Sequence, residues 1–311
     1  MASHLNKNNS MKKLVLVFMF FSAMGFAQQD SQYTQYMYNT ITVNPAYAGS
    51  RGMLSIFGLH RSQWIGLDGA PRTSAFSVNT PLNDSRLGLG VSIVNDKIGP
   101  TVENTFSADL SYTIPASEEF KLSFGIKGTA NLFNIDMNKL DPQKQGDRQF
   151  QNMDGKFSPN IGAGIYLHSD KAYVGLSVPN FIESDRYDDD QVAIFKEKIN
   201  YYFIAGYVFD INPSIQFKPA LLTKLVQGAP LQVDVSGNFM FDEKFVLGLG
   251  YRWSASVSAM AGFQVSEGLY IGYAYDHETT RLQKYNSGSH EIFLRFELFN
   301  SYSRITSPRF F

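Results

Sequence analysis

Apolar and polar side chains alternate one by one along most of the chain after residue 50. Between residues 104 and 114, Phe106, Leu110 and Tyr112 share one face of an extended segment, while Asp109 and Ser111 share the other. A helix repeats such a pattern every 3.6 residues, whereas a strand repeats it every two. The alternation therefore predicts β-strands with one apolar face and one polar or small face.

Fourteen segments carry this alternation, and turn residues follow each of them. An even number of antiparallel strands brings both ends of a chain to the same side of a closed sheet, as in bacterial outer-membrane barrels. The predicted fold is all-β, a transmembrane antiparallel up-and-down barrel. Its predicted strands are 53–63, 72–82, 86–96, 101–114, 120–135, 157–169, 171–179, 198–210, 213–225, 230–241, 244–253, 255–265, 268–277 and 289–300.

The long connections between these segments all follow odd-numbered strands. The connections after even-numbered strands are tight, such as Ser169-Asp170. Outer-membrane barrels have short turns on the periplasmic side and long loops outside the cell. The position of the long connections after odd-numbered strands therefore predicts periplasmic chain termini. It also predicts long extracellular loops at 62–71, 136–156, 180–196 and 277–288.

The N-terminus is typical of an exported protein. Met11-Lys12-Lys13 is basic, residues 14–21 are all apolar, and Gly25-Phe26-Ala27 resembles a cleavage site. The apolar run is too short for a membrane helix, which needs about 20 residues. The predicted parts are a leader with signal peptide (1–27), a periplasmic N-terminal segment (28–50), the barrel (51–300) and a periplasmic C-terminal tail (301–311).

Composition fits a membrane barrel and excludes several kinds of site. Charged residues form 18% of the chain, below the roughly 25% usual in soluble domains, and aromatic residues form 14%. A net charge of −1 provides no field that attracts nucleic acid. The absence of cysteine excludes disulfides, thiol nucleophiles and thiolate-bound metals.

Several charged residues fall on the strand face opposite to the apolar one. A charge facing lipid costs about 2–4 kcal/mol near the membrane midplane, so these side chains are predicted to face the lumen. They form either a mutually paired network or the lining of a substrate path. The residues are Asp109, Lys127, Asp234, Arg252, Arg295 and Glu297.

No arrangement of residues indicates catalysis. The histidines are scattered, and no HxH, HExxH or GxSxG pattern occurs. The run Asp188, Asp189 and Asp190 has the oxygen ligands that calcium prefers, but a solvated acidic loop gives the same run. The sequence predicts a protein that is not an enzyme and has no cofactor.

The stretch ahead of the barrel carries a family resemblance. It resembles the opening of the PorP/SprF family of Bacteroidetes, which belongs to the type IX secretion and gliding-motility apparatus. Further similarity lies in His60–Trp64, Gly69–Thr73, Leu87–Gly90, Asn95–Pro100, Ser289–Ile292 and Ser307–Phe311. The residues of the opening motif are Gln32, Tyr33, Gln35, Tyr36, Asn39, Asn44, Pro45, Tyr47 and Gly49.

The resemblance implies a non-enzymatic outer-membrane accessory of type IX secretion. Such barrels support export or surface anchoring of partner proteins, such as gliding adhesins, that bear a C-terminal sorting domain of the type B form. Other secretion or gliding components at the periplasmic face are further partners that it implies. We expect the loops 136–156 and 180–196 to bind the cargo protein, because they are the largest extracellular surfaces.

Alternatives remain for the function and for the N-terminal segment. The second functional class is a transport barrel or porin for a small or hydrophobic solute, and a barrel hydrolase is disfavoured because no nucleophile with a base is found. The segment 28–50 is either a plug in the periplasmic mouth or an exposed docking strip, and the tail 301–311 has the same alternatives. Within the segment, Pro45 biases Asn44 towards extended geometry and predicts a turn.

Overall fold

The computed structural model describes residues 33–82, 86–136, 152–185 and 196–298. No helix within these ranges is long and apolar enough to cross a membrane. The strands are β1 (Leu54–Ser62), β2 (Arg72–Pro81), β3 (Leu87–Ile98), β4 (Thr101–Pro115), β5 (Lys121–Ile135), β6 (Met153–His168), β7 (Ala172–Val178), β8 (Ser184–Asp185), β9 (Lys196–Glu197), β10 (Asn200–Tyr207), β11 (Phe209–Asn212), β12 (Ile215–Val226), β13 (Gln232–Phe241), β14 (Phe245–Arg252), β15 (Ser256–Gln264), β16 (Leu269–Glu278) and β17 (Ser289–Leu298).

The main sheet closes where its first and last strands meet. β1 pairs antiparallel with β17, from Leu54 opposite Leu298 to Ser62 opposite His290. β10 and β11 both pair with β12, and together they make one strand that is interrupted at Val208. The described residues thus form a closed antiparallel barrel of fourteen strands, which confirms the predicted fold.

Three local features differ from the predicted strands. β6 begins at Met153 instead of residue 157, because Met153 pairs with Ile135 beyond a register irregularity and so shortens the predicted loop 136–156. β8 and β9 form a small hairpin within the predicted loop 180–196. The predicted strand 198–210 is interrupted at Val208, where the pairing with β12 breaks but keeps its register, from Gly206 opposite Ala220 to Phe209 opposite Phe217.

The polarity of the two sheet faces is inverted compared with a soluble β-protein. Outward-facing apolar side chains are exposed, with Leu249 at 68% and Ile126 at 61%, whereas Asp109 and Lys127 are buried inside. A continuous exposed apolar belt is stable only against hydrocarbon. The distribution places lipid outside the barrel and polar groups in the lumen.

The two ends of the barrel differ in their connections. At the loop end, long connections join β1 to β2, β5 to β6, β7 to β10 and β16 to β17; the last includes a short 3-10 helix, Arg281–Lys284. At the turn end, short turns join pairs such as β6 to β7 and β13 to β14.

Residues 33–50, named the strap, lie inside the barrel ahead of β1. Asn44 has extended backbone geometry, and its side chain accepts a hydrogen bond from the Ala46 amide at 3.0 Å. This arrangement confirms the turn predicted at Asn44-Pro45. Three short 3-10 helices shape the strap: Tyr36–Tyr38, Thr40–Thr42 and Pro45–Tyr47.

Two glycines in the wall let the strap approach the sheet closely. A Cβ atom at Gly125 would lie 2.2 Å from the Ala46 nitrogen, and one at Gly88 would lie 2.3 Å from the Ala48 oxygen. Both neighbours are backbone atoms, which cannot move aside as a flexible side chain can. The wall and the strap are therefore complementary in shape at these positions.

Substituting Gly125 tests this packing. Gly125→Ala should destabilise the barrel by about 1–3 kcal/mol, because the added methyl group forces the strap away from β5. The temperature at which the compact folded band disappears in semi-native gel electrophoresis measures the effect. Gly128→Ala is the matched control, since Gly128 faces outward on the same strand with nothing within 4 Å of its added Cβ. Equal melting temperatures for the two variants would contradict the close fit.

Candidate functional site

The strap crosses the lumen from the loop end to the turn end. Near its start, the amides of Thr34 and Gln35 donate to the two carboxylate oxygens of Glu291 at 3.0 and 2.9 Å. Just after its end, Arg51 forms a close ion pair with Glu297. Glu291 lies near the loop end of β17 and Glu297 near the turn end, so this single strand holds the strap at both ends.

Buried charges surround the start of the strap. Arg61 lies 2.7 Å from Asp276 and 3.1 Å from Glu291, and it donates to the Thr34 hydroxyl at 2.7 Å. The Thr34 hydroxyl donates in turn to Asp276 at 2.6 Å. The three charged side chains are at most 4% exposed. Because they are desolvated, removing one partner would leave an uncompensated charge in a medium of low dielectric.

A second ion pair lies beside this cluster. Asp234 and Arg252 are register partners on β13 and β14, with the Arg252 Nε 2.6 Å from the carboxylate. Arg252 also donates to the Tyr33 carbonyl at 3.4 Å. The pair therefore contacts the strap at the loop end.

The middle of the strap is bonded to the wall formed by β4 to β6. Asp109 and Lys127 are register partners on β4 and β5, and their charged atoms are 3.0 Å apart. The Lys127 ammonium also donates to the Ile41 carbonyl at 3.1 Å. Asn44 donates to the Ile165 carbonyl on β6 at 3.1 Å. The bond from Lys127 satisfies a backbone carbonyl of the strap, and the bond from Asn44 joins a strap side chain to the wall.

At the turn end, charge and aromatic packing act together. The Arg295 Nε lies 3.4 Å from Glu297, and its guanidinium lies over the rings of Tyr270 and Tyr38, at 4.7 and 5.7 Å from their centroids. The two tyrosine hydroxyls are 3.2 Å apart.

The six charged residues predicted to face the lumen form three separate ion pairs. Asp234–Arg252 lies at the loop end, Asp109–Lys127 in the middle, and Arg295–Glu297 at the turn end. At the turn end, Glu297 also pairs with Arg51, so one carboxylate is shared by two guanidinium groups. Within the described ranges, no group of three or more acidic or histidine side chains could hold a metal ion.

The motif ahead of the barrel lies in the strap. Its described members are buried, apart from Gly49, which is half-buried. Gln32, the acidic run 188–190, the signal peptide 1–27 and the tail 301–311 lie outside the described residues. The predictions made for them stay predictions.

Four residues that hold the strap are not among those predicted from the sequence: Arg51, Arg61, Asp276 and Glu291. Alternation could have found Glu291, because it shares the inward face of β17 with Arg295 and Glu297. The contact between Arg61 and its two carboxylates could not have been found in this way. It depends on the register across the closing seam between β1 and β17.

Removing the carboxylate charge at Glu291 tests the hold on the strap. Glu291→Gln should lower stability by about 3 kcal/mol, because Arg61 loses one of its two buried counter-charges and the strap amides lose a charged acceptor. The midpoint of urea unfolding in detergent measures the loss. Glu118→Gln, at an exposed turn between β4 and β5, makes the same charge change as a control. A Glu291→Gln midpoint no lower than that of the control would show that the strap does not depend on this carboxylate.

Comparison with known proteins gives one family and several distant barrels. A family model described as type IX secretion system membrane protein PorP/SprF matches residues 25–296. No match is found among curated proteins. Among solved structures, the chain is similar to the Acinetobacter baumannii outer membrane protein Omp33, at 8% identity over 79% of this chain and 98% of that one, with a TM-score of 0.48.

Two further barrels show a similar degree of likeness. The CymD monoaromatic hydrocarbon channel is 12% identical over 89% of this chain and 96% of its own, with a TM-score of 0.49. A Pseudomonas aeruginosa FadL homologue is 13% identical over 79% and 89%, with a TM-score of 0.42. The family match spans most of the chain and agrees with the resemblance carried by the strap motif. The chain therefore belongs to the PorP/SprF family and is an outer-membrane β-barrel component of the type IX secretion system.

Proposed function

We propose that the protein is a non-enzymatic accessory that supports export and surface anchoring of a type IX secreted partner. The partner class is a protein with a type B-like C-terminal sorting domain, such as a gliding adhesin, and other secretion components act beside it at the periplasmic face. Membership of the family supports the secretion role. The partner class follows from the family resemblance in the sequence.

The observation that carries the proposal is the occupied lumen. The strap is bonded to β5 and β6 on one side through Ile41 and Asn44. On the other side it packs on β16 and β17, where the rings of Tyr38 and Phe293 are 4.6 Å apart. In this proposal the strap is a plug, and the barrel is a stable scaffold that binds its partners at its two ends.

The orientation of the scaffold is part of the proposal. With the loop end outside the cell, as in other outer-membrane barrels, the end of β17 lies at the periplasmic side. Tyr33 then lies near the outer end of the lumen, since its carbonyl contacts Arg252 at the loop end of β14. In this orientation the strap runs from the outer end of the lumen to its periplasmic end, where β1 begins.

Single-channel recording separates this proposal from a transport barrel. The native protein in a planar bilayer should be nearly silent, because the strap fills the lumen. A variant lacking residues 33–49 should show clear openings, because fourteen strands enclose more space than side chains alone fill. Retention of the compact folded band in semi-native gels shows that this variant is still a barrel. Frequent openings of the native protein, as large as those of the variant, would favour the transport alternative.

Cargo retention tests the role of the long loops. Replacing residues 137–151 with a short Gly-Ser linker removes the loop and keeps β5 and β6 intact. We expect surface cargo to appear in the culture medium, because its largest extracellular contact is lost. The cell-bound and released fractions are measured by blotting, with the co-purifying proteins identified from native membranes.

The matched control for this loop replaces residues 281–286, which form an exposed turn at the same end of the barrel. Both variants must reach the outer membrane in native amounts. If the 137–151 variant retains as much cargo as the native strain, this loop does not bind the cargo. Loss of cargo retention in the control alone would show that the cargo binds the connection between β16 and β17.

A further inference from the structure

Two cations lie side by side on the outer face of the barrel near the loop end. Arg72 on β2 and Lys97 on β3 are register partners, and both are exposed. Their neighbours Thr73 and Asp96 share a hydrogen bond of 2.6 Å from hydroxyl to carboxylate on the opposite, inward face. Arg72 and Lys97 therefore point away from the lumen.

The height of this pair relative to the apolar belt is defined by the same two strands. Phe76 and Ile93 are exposed register partners in the belt, at 47% and 45%. Arg72 and Lys97 lie four residues beyond them towards the loop end. Four residues at about 3.3 Å each, on a strand tilted by about 40°, correspond to a rise of about 10 Å. This is the level of the polar headgroups that flank the hydrocarbon core.

The two positive charges face each other across neighbouring strands. Like charges directly opposite each other on neighbouring strands repel. Neither side chain forms an ion pair with any residue in the described part of the chain, and this includes Asp68, which lies near them. An anion that binds between the two side chains would relieve this repulsion.

A pocket of about 640 Å³ adjoins these cations. It is lined by the connection from Ser62 to Ala70, by Arg72 and Lys97, and by the turn Gly99-Pro100. The Gly99 amide donates to the Gly69 carbonyl at 2.8 Å and joins the two walls. The volume lies within the range of about 300–1,000 Å³ that is usual for small-ligand sites.

The wall of the pocket is held in one conformation. Trp64 has a positive φ of 47°, which is rare for a bulky residue and persists only where the surroundings fix it. Its amide donates to the Ser289 hydroxyl and its indole donates to Glu278, each at 3.2 Å. The pocket is therefore anchored to β16 and β17 and does not need to form when a ligand arrives.

We propose that this pocket binds the phosphate-bearing headgroup of lipid A in the outer leaflet. Arg and Lys at headgroup height attract phosphate by charge and hydrogen bonding, and the outward direction of both side chains presents them to lipid. An acidic peptide has the same charge, but it would have to displace lipid at this height. The site rests on the proposed orientation, with the loop end outside, and is independent of the cargo.

Lipid titration of the purified full-length barrel, followed by native mass spectrometry, tests the site. The native protein should bind bisphosphorylated lipid A more tightly than phosphatidylglycerol. The double variant Arg72→Gln with Lys97→Gln should bind lipid A about tenfold more weakly or worse. Arg281→Gln with Lys284→Gln, an equal charge change in the exposed turn at the same end, should bind as the native protein does.

A charge-preserving variant and a competition experiment complete the test. The exchange Arg72→Lys with Lys97→Arg keeps both charges and should retain binding, which separates lost charge from lost folding. Inorganic phosphate in large excess should compete only weakly with lipid A. Unchanged lipid binding in the Gln variant, a preference for phosphatidylglycerol, or complete displacement by inorganic phosphate would each overturn the proposal. Loss of cargo retention with unchanged lipid binding would also overturn it, in favour of an acidic peptide.

Discussion

A peptide group finds no hydrogen-bond partner in hydrocarbon, and the structure depends on this constraint. Every strand must pair on both sides, so the sheet has to close between β1 and β17. Closure also fixes the polarity of the faces, because each alternate side chain then meets lipid. The remaining side chains, charged ones included, are confined to a narrow interior.

The interior satisfies these charges with the chain's own N-terminal segment and with each other. Arg61, Asp276 and Glu291 are almost completely buried and would be costly without their mutual contacts and those to Thr34. The strap needs the same groups, because its three short 3-10 helices leave many backbone amides without internal partners. Wall and strap therefore stabilise each other.

The wall was predictable from the sequence to a large extent, whereas the strap was not. Period-two alternation locates the strands and the inward position of residues such as Asp109 and Lys127, because side-chain direction in a strand is a local property. The interruption at Val208 and the early start of β6 at Met153 depend on how neighbouring strands pair, which alternation does not record. The path of the strap has no periodicity, and its partners are chosen by contacts across the closed lumen.

The position of the strap's two anchors has a consequence for assembly. Glu291 and Glu297 both belong to the last strand, and the bond from Thr34 to Glu291 spans 257 residues of sequence. Contacts between such distant parts of a chain form late, since a large loop must close first. The strap can therefore form these contacts only after β17 has been made. A chain truncated before β17 would lack both carboxylates that hold the strap. The strap is therefore held in the lumen only in a barrel whose last strand has been made and inserted.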